Sequence, residues 1–426
     1  MGQDLPPAIV FNCHYNGLSI IQELGTHGVP CIAMDCDRSI GTFSRYARYV
    51  RSPDPANDQS GFVDFLHDFC AGLPQRPVLF PTNDEWAVAV SQSSGRLRSV
   101  ARPCVADWPA VQAVIEKDRF YELGRSRGYP TPRTWDVTEL AELAPGNYPL
   151  VAKPRFRRNA SDTDWTLSQK EMERLRLTVL RTEDELSRFL SAERAHVSDL
   201  VFQEFVPGAS DSMYTIGVYA DRDHVIRGIF TGKKVRGYPA DIGDCIVGEV
   251  RGMPEELERT TATIVRELGL AGILEFEYKY HSDAARFVLI EVNPRSWSWI
   301  GITPACGVSL PLIAYGDLAA RPANTESRPS ASLRDGEVRY YKVLPDFINC
   351  TVRYRRSFPS WRRTPFTWVR ELLGVRRVVV AEVNARDYPV AVVAVLAQVK
   401  ELARDLVASI RHARRRRSSA VQRSAS

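Results

Sequence analysis

The stretch Phe287-Val-Leu-Ile-Glu291-Val-Asn293-Pro-Arg295 limits what this chain can fold into more than any other. Its apolar, partly β-branched start predicts a buried strand, and Pro294 predicts the end of that strand's hydrogen-bond ladder. Side chains two apart on a strand share a face, so Glu291 and Asn293 project together while Ile290 and Val292 are expected on the opposite side. Upstream, Gly272-Ile-Leu-Glu275-Phe-Glu277-Tyr alternates like a second strand, and the polar stretch from His281 to Ala285 can turn the chain back antiparallel. Glu277 then approaches Glu291 and Asn293 across a hairpin, with Glu275 on the same face as Glu277.

Neighbouring carboxylates repel and raise one another's pKa unless a cation or proton holds them. Magnesium suits such a place, because it takes oxygen ligands and bridges a few carboxylates to nucleotide phosphates; manganese is the alternate. Arg295 adds a fixed cationic fork beside it. A surface hairpin with solvated acids is the bland alternative. Taken together, Glu277, Glu291, Asn293 and Arg295 resemble the metal-binding end of the ATP-grasp ligases, in which a Glu on one strand precedes Glu-x-Asn-x-Arg on the next.

The 426 residues are 44% apolar and 25% charged, which excludes bulk disorder and allows two or three domains. The start Met1-Gly-Gln-Asp-Leu-Pro-Pro lacks the features of a secretory leader, and no apolar run nears the 18 or so residues of a membrane span, so a cytoplasmic location is expected. Eight cysteines, at 13, 31, 36, 70, 104, 245, 306 and 350, show no paired ligand spacing and read as core residues of a reduced protein. The net charge of +5 is uneven: residues 411–426 hold six arginines and no acid, leaving 50 basic against 51 acidic residues elsewhere. That run is expected to be a disordered tail, idle or in weak contact with an anionic surface.

Residues 8–12 form a short apolar strand, His14 to Gly17 a turn, and Leu18, Ile21 and Leu24 a helical period closed by Gly25 and Gly28. Further strands at Pro30 to Met34 and Val78 to Pro81 complete a βαβ pattern, hence a parallel sheet with packed helices. Gly17 alone does not make GxGxxG, so a dinucleotide site is not indicated. Thr82-Asn83-Asp84-Glu85 follows a strand end, where open α/β sheets bind ligands; Asn83 and Asp84 are read either as acceptor-substrate contacts or as helix caps.

The resemblance extends to the intervening segments. A single helix starting near Pro109 would present Lys117 to a phosphate, and Pro149-Leu-Val-Ala-Lys153-Pro154 looks like the strand aiming a second lysine at the nucleotide. Leu200-Val-Phe-Gln203-Glu204-Phe205-Val206-Pro-Gly208 resembles the adenine hinge, with Asp211 accepting the ribose hydroxyls. Lys234 and Arg236 alternate onto one side, suiting phosphate or carboxylate substrates, or else mark an exposed strand edge. Where many ATP-grasp chains continue from the lysine into a glycine-rich loop, this one reads Arg155-Phe-Arg157-Arg158-Asn-Ala-Ser161-Asp without glycine. The loop from Ser296 through Trp297 and Trp299 to Gly307 is expected to line the acceptor pocket.

The fold class is thus α/β (α+β): a Rossmann-like domain at 1–105 and a two-lobed ATP-grasp domain at 106–320, with an ATP-binding unit similar to that of carbamoyl phosphate synthase. An unassigned extension at 321–410, with a linker at 321–332 and an amphipathic helix from Ala391 to Ile410, and the basic tail at 411–426 complete the chain. The resemblance implies an ATP- and magnesium-dependent carboxylate–amine ligase of the D-aspartate-ligase-like branch, with Arg295, Lys234 and Arg236 acting on the substrate. Small-molecule acid and amine partners are expected, no nucleic acid, and no membrane span, with homo-oligomers allowed. A phosphotransferase on the same fold and a non-catalytic nucleotide sensor are the alternatives.

Overall fold

The computed structural model describes residues 5–155, 167–238, 243–322, 325–354, 359–382, 387–397 and 399. Arg157, Arg158 and the tail at 411–426 lie outside the described residues, as does the part of the expected C-terminal helix beyond 399.

The first sheet is parallel throughout, in the order β3-β2-β1-β4-β5, built from Ala8–Phe11 (β1), Cys31–Asp35 (β2), Ala47–Arg51 (β3), Val78–Phe80 (β4) and Arg102–Pro103 (β5). Strands β1, β2 and β4 are buried along their whole length, as strands covered on both faces must be. The strand order reverses between β1 and β4, and the strand ends there are tied together by Thr82 and Asn16. The Thr82 hydroxyl lies 2.7 Å from the carbonyls of both Phe11 and Asn12, between which its one proton is shared, and the Asn16 amide donates to the Thr82 carbonyl at 2.5 Å.

A four-stranded antiparallel sheet follows, in the order β6-β9-β7-β8: Thr134–Trp135 (β6), Leu150–Pro154 (β7), Thr178–Leu180 (β8) and Leu200–Glu204 (β9). It packs a small core of its own around Phe202, Leu150 and Leu200.

The largest sheet has seven strands, in the order β14-β13-β10-β11-β12-β15-β16. These are Met213–Ala220 (β10), Ile226–Tyr238 (β11), Asp244–Val250 (β12), Gly272–His281 (β13), Arg286–Asn293 (β14), Val338–Tyr341 (β15) and Arg377–Val380 (β16). Two strands therefore come from beyond residue 321: β15 pairs antiparallel with β12, and β16 runs parallel to β15. The expected extension is in this respect a continuation of the seven-stranded sheet. The segment read as a linker is also tied down, since the Ser327 carbonyl accepts from the Ile229 amide at 2.9 Å and the Ser330 amide donates to the Cys306 carbonyl at 3.0 Å.

Trp297 and Trp299 are each 1% exposed and stand on this sheet as pillars. They fit because the strands beneath are glycine. A Cβ at Gly217 would lie 2.0 Å from the Trp297 ring, and one at Gly248 would lie 2.5 Å from the Trp299 ring. The aromatic loop expected to line a substrate pocket is accordingly core; truncating either ring costs about 3–5 kcal/mol.

Candidate functional site

Between the four-stranded and the seven-stranded sheets lies a cavity of about 610 Å³. One wall holds Val151 and Lys153 of β7, Val179 of β8, and Gln203 and Glu204 of β9, continuing into Phe205 and Val206; the other holds Lys234 of β11, Glu277 and Lys279 of β13, and Ile290 and Glu291 of β14. Lys117 closes one end.

The expected single helix around Lys117 is two. The first, Trp108–Ile115, stops at Glu116, whose backbone is extended, and the second, Lys117–Arg127, begins on the lysine itself. The break turns Lys117 towards the cleft, with its ammonium 4.0 Å from Glu291. Lys153 donates to the Tyr121 hydroxyl at 2.8 Å, and that hydroxyl donates to the Ile290 carbonyl at 2.7 Å, so one tyrosine locks the lysine to the strand bearing Glu291. Both lysines are only 9% exposed. Arg155, just after β7, is held by Asp118 at 3.0 Å.

The hairpin forms in the expected register, with Glu277 opposite Glu291 and Glu275 opposite Asn293. Four polar side chains thus share one face. The register shifts by one residue after Glu277, so Ile290 is an extra residue on β14 and lines the cavity beside Glu291. A strict two-residue alternation had put Ile290 on the opposite face; the β-bulge overrides it.

Lys234 donates to Glu277 at 2.6 Å. Burial pulls its ammonium pKa down, but the attraction of Glu277 and Glu275 outweighs that and leaves it above its ordinary value. Behind this pair, Glu275 is 5% exposed, accepts from the Asn293 amide at 3.0 Å, and is pushed up to about 8 by burial first and by the Glu277 charge second. The Asn293 carbonyl oxygen accepts from Arg295 at 3.0 Å, and Arg295 also pairs with Asp84 at 2.8 Å. Asp84 opens the helix Asp84–Gln92, for which Asn83 provides the cap by accepting from the Trp86 amide at 3.3 Å. The two readings of that dipeptide therefore separate: Asn83 caps, and Asp84 reaches the strand of the carboxylates.

Lys117, Lys153, Gln203, Glu204, Phe205, Val206, Lys234, Glu277 and Glu291 all line the cleft. Asn293 and Arg295 are not among the lining residues, and Asp211 sits in the turn Ser210–Ser212, of which Ser210 is the lining residue. Glu204 is partly engaged, accepting from Arg286 at 2.8 Å, and the Phe205 amide donates to the Pro149 carbonyl at 3.2 Å.

Arg236 departs from expectation. Lys234 pairs with Gly248 but Arg236 with Val247, so Val235 is an inserted residue and the two basic side chains leave β11 on opposite faces. Arg236 is 1% exposed, forms a bidentate pair with Asp346 at 2.8 Å for both contacts, and donates to Glu371 at 2.6 Å. It takes no part in the cavity lining.

Sequence reading missed Lys279, Ile290 and the β8 side of the cleft. Lys279 follows Glu277 by two on the same strand, a signal that was available. Arg176, Leu177 and Val179 could be found only from pairing, because β8 joins the site through β7.

The cleft contains hard oxygen donors suited to magnesium. Among the described residues no three His, Cys, Asp or Glu side chains are grouped to hold a metal. Two carboxylates are nevertheless enough when nucleotide oxygens complete the shell, as magnesium usually requires. Glu277 and Glu291 face each other as like charges on adjacent strands, each met by a lysine, so the pair fits a divalent cation.

No family model matches the sequence. The chain is similar to D-aspartate ligase of Enterococcus faecium (strain Aus0004), 25% identical over 229 residues, covering 51% of this chain and 53% of the relative; it thus spans about half the length of that protein. Among solved structures it is similar to the biotin carboxylase domain of the Hydrogenobacter thermophilus 2-oxoglutarate carboxylase, in complex with magnesium ADP, ADP and bicarbonate. There the TM-score is 0.55 at 15% identity, covering 76% of this chain and 72% of that one. N5-carboxyaminoimidazole synthetase from Staphylococcus aureus gives a TM-score of 0.56 at 11% identity, covering 78% and 80%. With the cleft between two sheets and the carboxylate hairpin, these likenesses give the chain the ATP-grasp fold.

Proposed function

We propose that this chain is an ATP-dependent carboxylate–amine ligase that makes an amide bond and releases ADP and phosphate. The observation that carries the reading is the convergence of Lys117, Lys153 and Lys234 with the paired Glu277 and Glu291 in one cleft between two sheets. Similarity to a D-aspartate ligase, although it spans about half of that protein, supports the carboxylate–amine class.

Apolar Val151, Val179, Phe205, Val206 and Ile290 would sandwich the base, with the backbone at Glu204 and Val206 reading its edge and Asp211 near the ribose. Lys117 and Lys153 would hold phosphate oxygens, the second fixed by Tyr121. Glu277 and Glu291, with Asn293, would hold magnesium, which screens phosphate charge. Arg295, restrained by Asp84 and Asn293, would face the substrate carboxylate and stabilise the negative charge on it. The carboxylate oxygen attacks the terminal phosphorus as the bond to ADP breaks; the amine nitrogen then attacks the acyl carbon, phosphate leaves, and the amine proton passes to solvent. The chain's role is positioning and charge neutralisation, so no nucleophilic side chain is needed. Eight free cysteines support a cytoplasmic setting, and among the described residues no helix is long and apolar enough to cross a membrane.

The test is ADP release with magnesium ATP, first with D- and L-aspartate and then over other amino acids, each with and without an amine panel. Turnover that needs both acid and amine is the expected result. ADP release with a hydroxyl acceptor alone would replace the ligase with a phosphotransferase, and nucleotide binding without release under any combination would replace it with a sensor.

A further inference from the structure

The helix Pro365–Leu373 has apolar residues on both of its sides. Its inner side is accounted for: Trp368 is buried, its ring meets Phe347 edge-on at 5.2 Å, and Glu371 pairs with Arg236 and Arg363. Its outer side carries Phe366, Val369 and Leu373, which are 75%, 44% and 79% exposed. The spacing of three and four residues places these on one stripe, and Arg370, also exposed, lies on the same side. The solvent face of an ordinary surface helix is polar, so a stripe of this kind needs an occupant.

Charge identifies the occupant. Residues 351–426 carry 17 Lys and Arg against 5 Asp and Glu, whereas the preceding 350 residues carry 39 against 46. Exposed Arg362 and Arg370 flank the stripe. A second copy docking through this face would bring the arginines of both copies together. The chain beyond residue 399 is similarly ill suited to cover it, with 8 basic residues against 2 acidic. Nucleic acid would suit the arginines but has no use for an exposed Phe-Val-Leu stripe. A surface that offers anionic groups above an apolar layer satisfies both.

We propose that the outer face of helix Pro365–Leu373 docks the protein on an anionic lipid surface, with Phe366, Val369 and Leu373 entering the headgroup boundary and Arg362 and Arg370 meeting lipid phosphates. The inference is independent of the ligase reading.

The test is co-sedimentation of the full chain with phosphatidylcholine vesicles and with equimolar phosphatidylcholine–phosphatidylglycerol vesicles in 0.1 M salt. The chain is expected to sediment with the anionic vesicles, and less so in 0.5 M salt. The double variant F366S/L373S should lower the partition coefficient at least tenfold, and replacing Arg362 or Arg370 by Gln should lower it about fivefold each. Leu373→Trp should retain binding, which separates loss of apolar insertion from damage to the fold, and melting temperature and ADP release in solution should be unchanged in all of them. Equal sedimentation of parent and F366S/L373S would overturn the proposal and assign any binding to the basic tail. So would failure of the parent to bind anionic vesicles, or light scattering that shows a lipid-free dimer dissolved by the same double substitution.

Discussion

Lys234 and Arg236 are two residues apart on one strand, and both are buried cations with carboxylate partners, yet they belong to different parts of the molecule. Lys234 faces the cleft, where it pairs with Glu277 and the opposing carboxylate Glu291 stands on the next strand. Arg236 faces the C-terminal segment, where Asp346 and Glu371 saturate it and Trp368 donates to Asp346 at 2.8 Å. One cluster lines an open cavity; the other is enclosed and clasps β11 to the helices that carry Asp346 and Glu371. The difference shows that burial and pairing alone do not mark a functional cation. What separates the two here is an open cavity lined by two facing carboxylates.

The comparison breaks most sharply at the carboxylates. Glu291→Gln keeps size and hydrogen bonding but removes a unit of ligand charge, so ADP release should fall by about two to four orders of magnitude across a magnesium titration, with the melting temperature held or raised. Full activity at unchanged magnesium demand would remove the metal assignment. Next, Arg236→Met should leave Asp346 buried without its partner and cost about 3–5 kcal/mol in denaturant unfolding, while the fraction still folded at low temperature keeps its ATP affinity. A variant that loses ATP affinity but not stability would place Arg236 in the site after all. Lys153→Ala should weaken ATP binding by tenfold or more and adenosine binding little, as measured by calorimetry, because the lysine supplies charge to phosphates.

The smallest effect concerns Glu382 on the clasp side. It is 2% exposed, its carboxyl accepts from the Val343 amide at 3.2 Å, and burial pushes it up to about 7 from an ordinary value of 4.5. The native state therefore keeps a proton that the unfolded chain releases, and this contribution to stability is full below about 4.5 and lost as pH rises through 7. Glu382→Gln should leave the melting temperature near the parent's at pH 4 and raise it by a few degrees at pH 8. Parallel melting curves for parent and variant across that range would show that Glu382 does not titrate in the fold.

Legibility followed the range of the interactions. The β13–β14 hairpin could be read because its two strands are adjacent in sequence and alternate in period two, which fixes Glu277 opposite Glu291. Lys153 could be read because an apolar run aims it. Ile290 and Arg236 were misplaced for one shared reason: a β-bulge inserts a residue without changing composition, and every side chain beyond it changes face. The tryptophans were misplaced because their partners are glycines on three other strands.

By itself, the sequence determined the parallel first sheet, the carboxylate hairpin, the three lysines and the order in which these occur, since each is a local pattern of polarity and turn residues. Tertiary structure alone decided that β15 and β16 extend the seven-stranded sheet, that β8 walls the cleft, that Asp84 of the first sheet's helix restrains Arg295, and that Arg236 is a clasp. Those features pair residues between 26 and 211 positions apart, through strand partners and bulges. Local propensity does not record them, because their free energy arises only when distant segments are desolvated together.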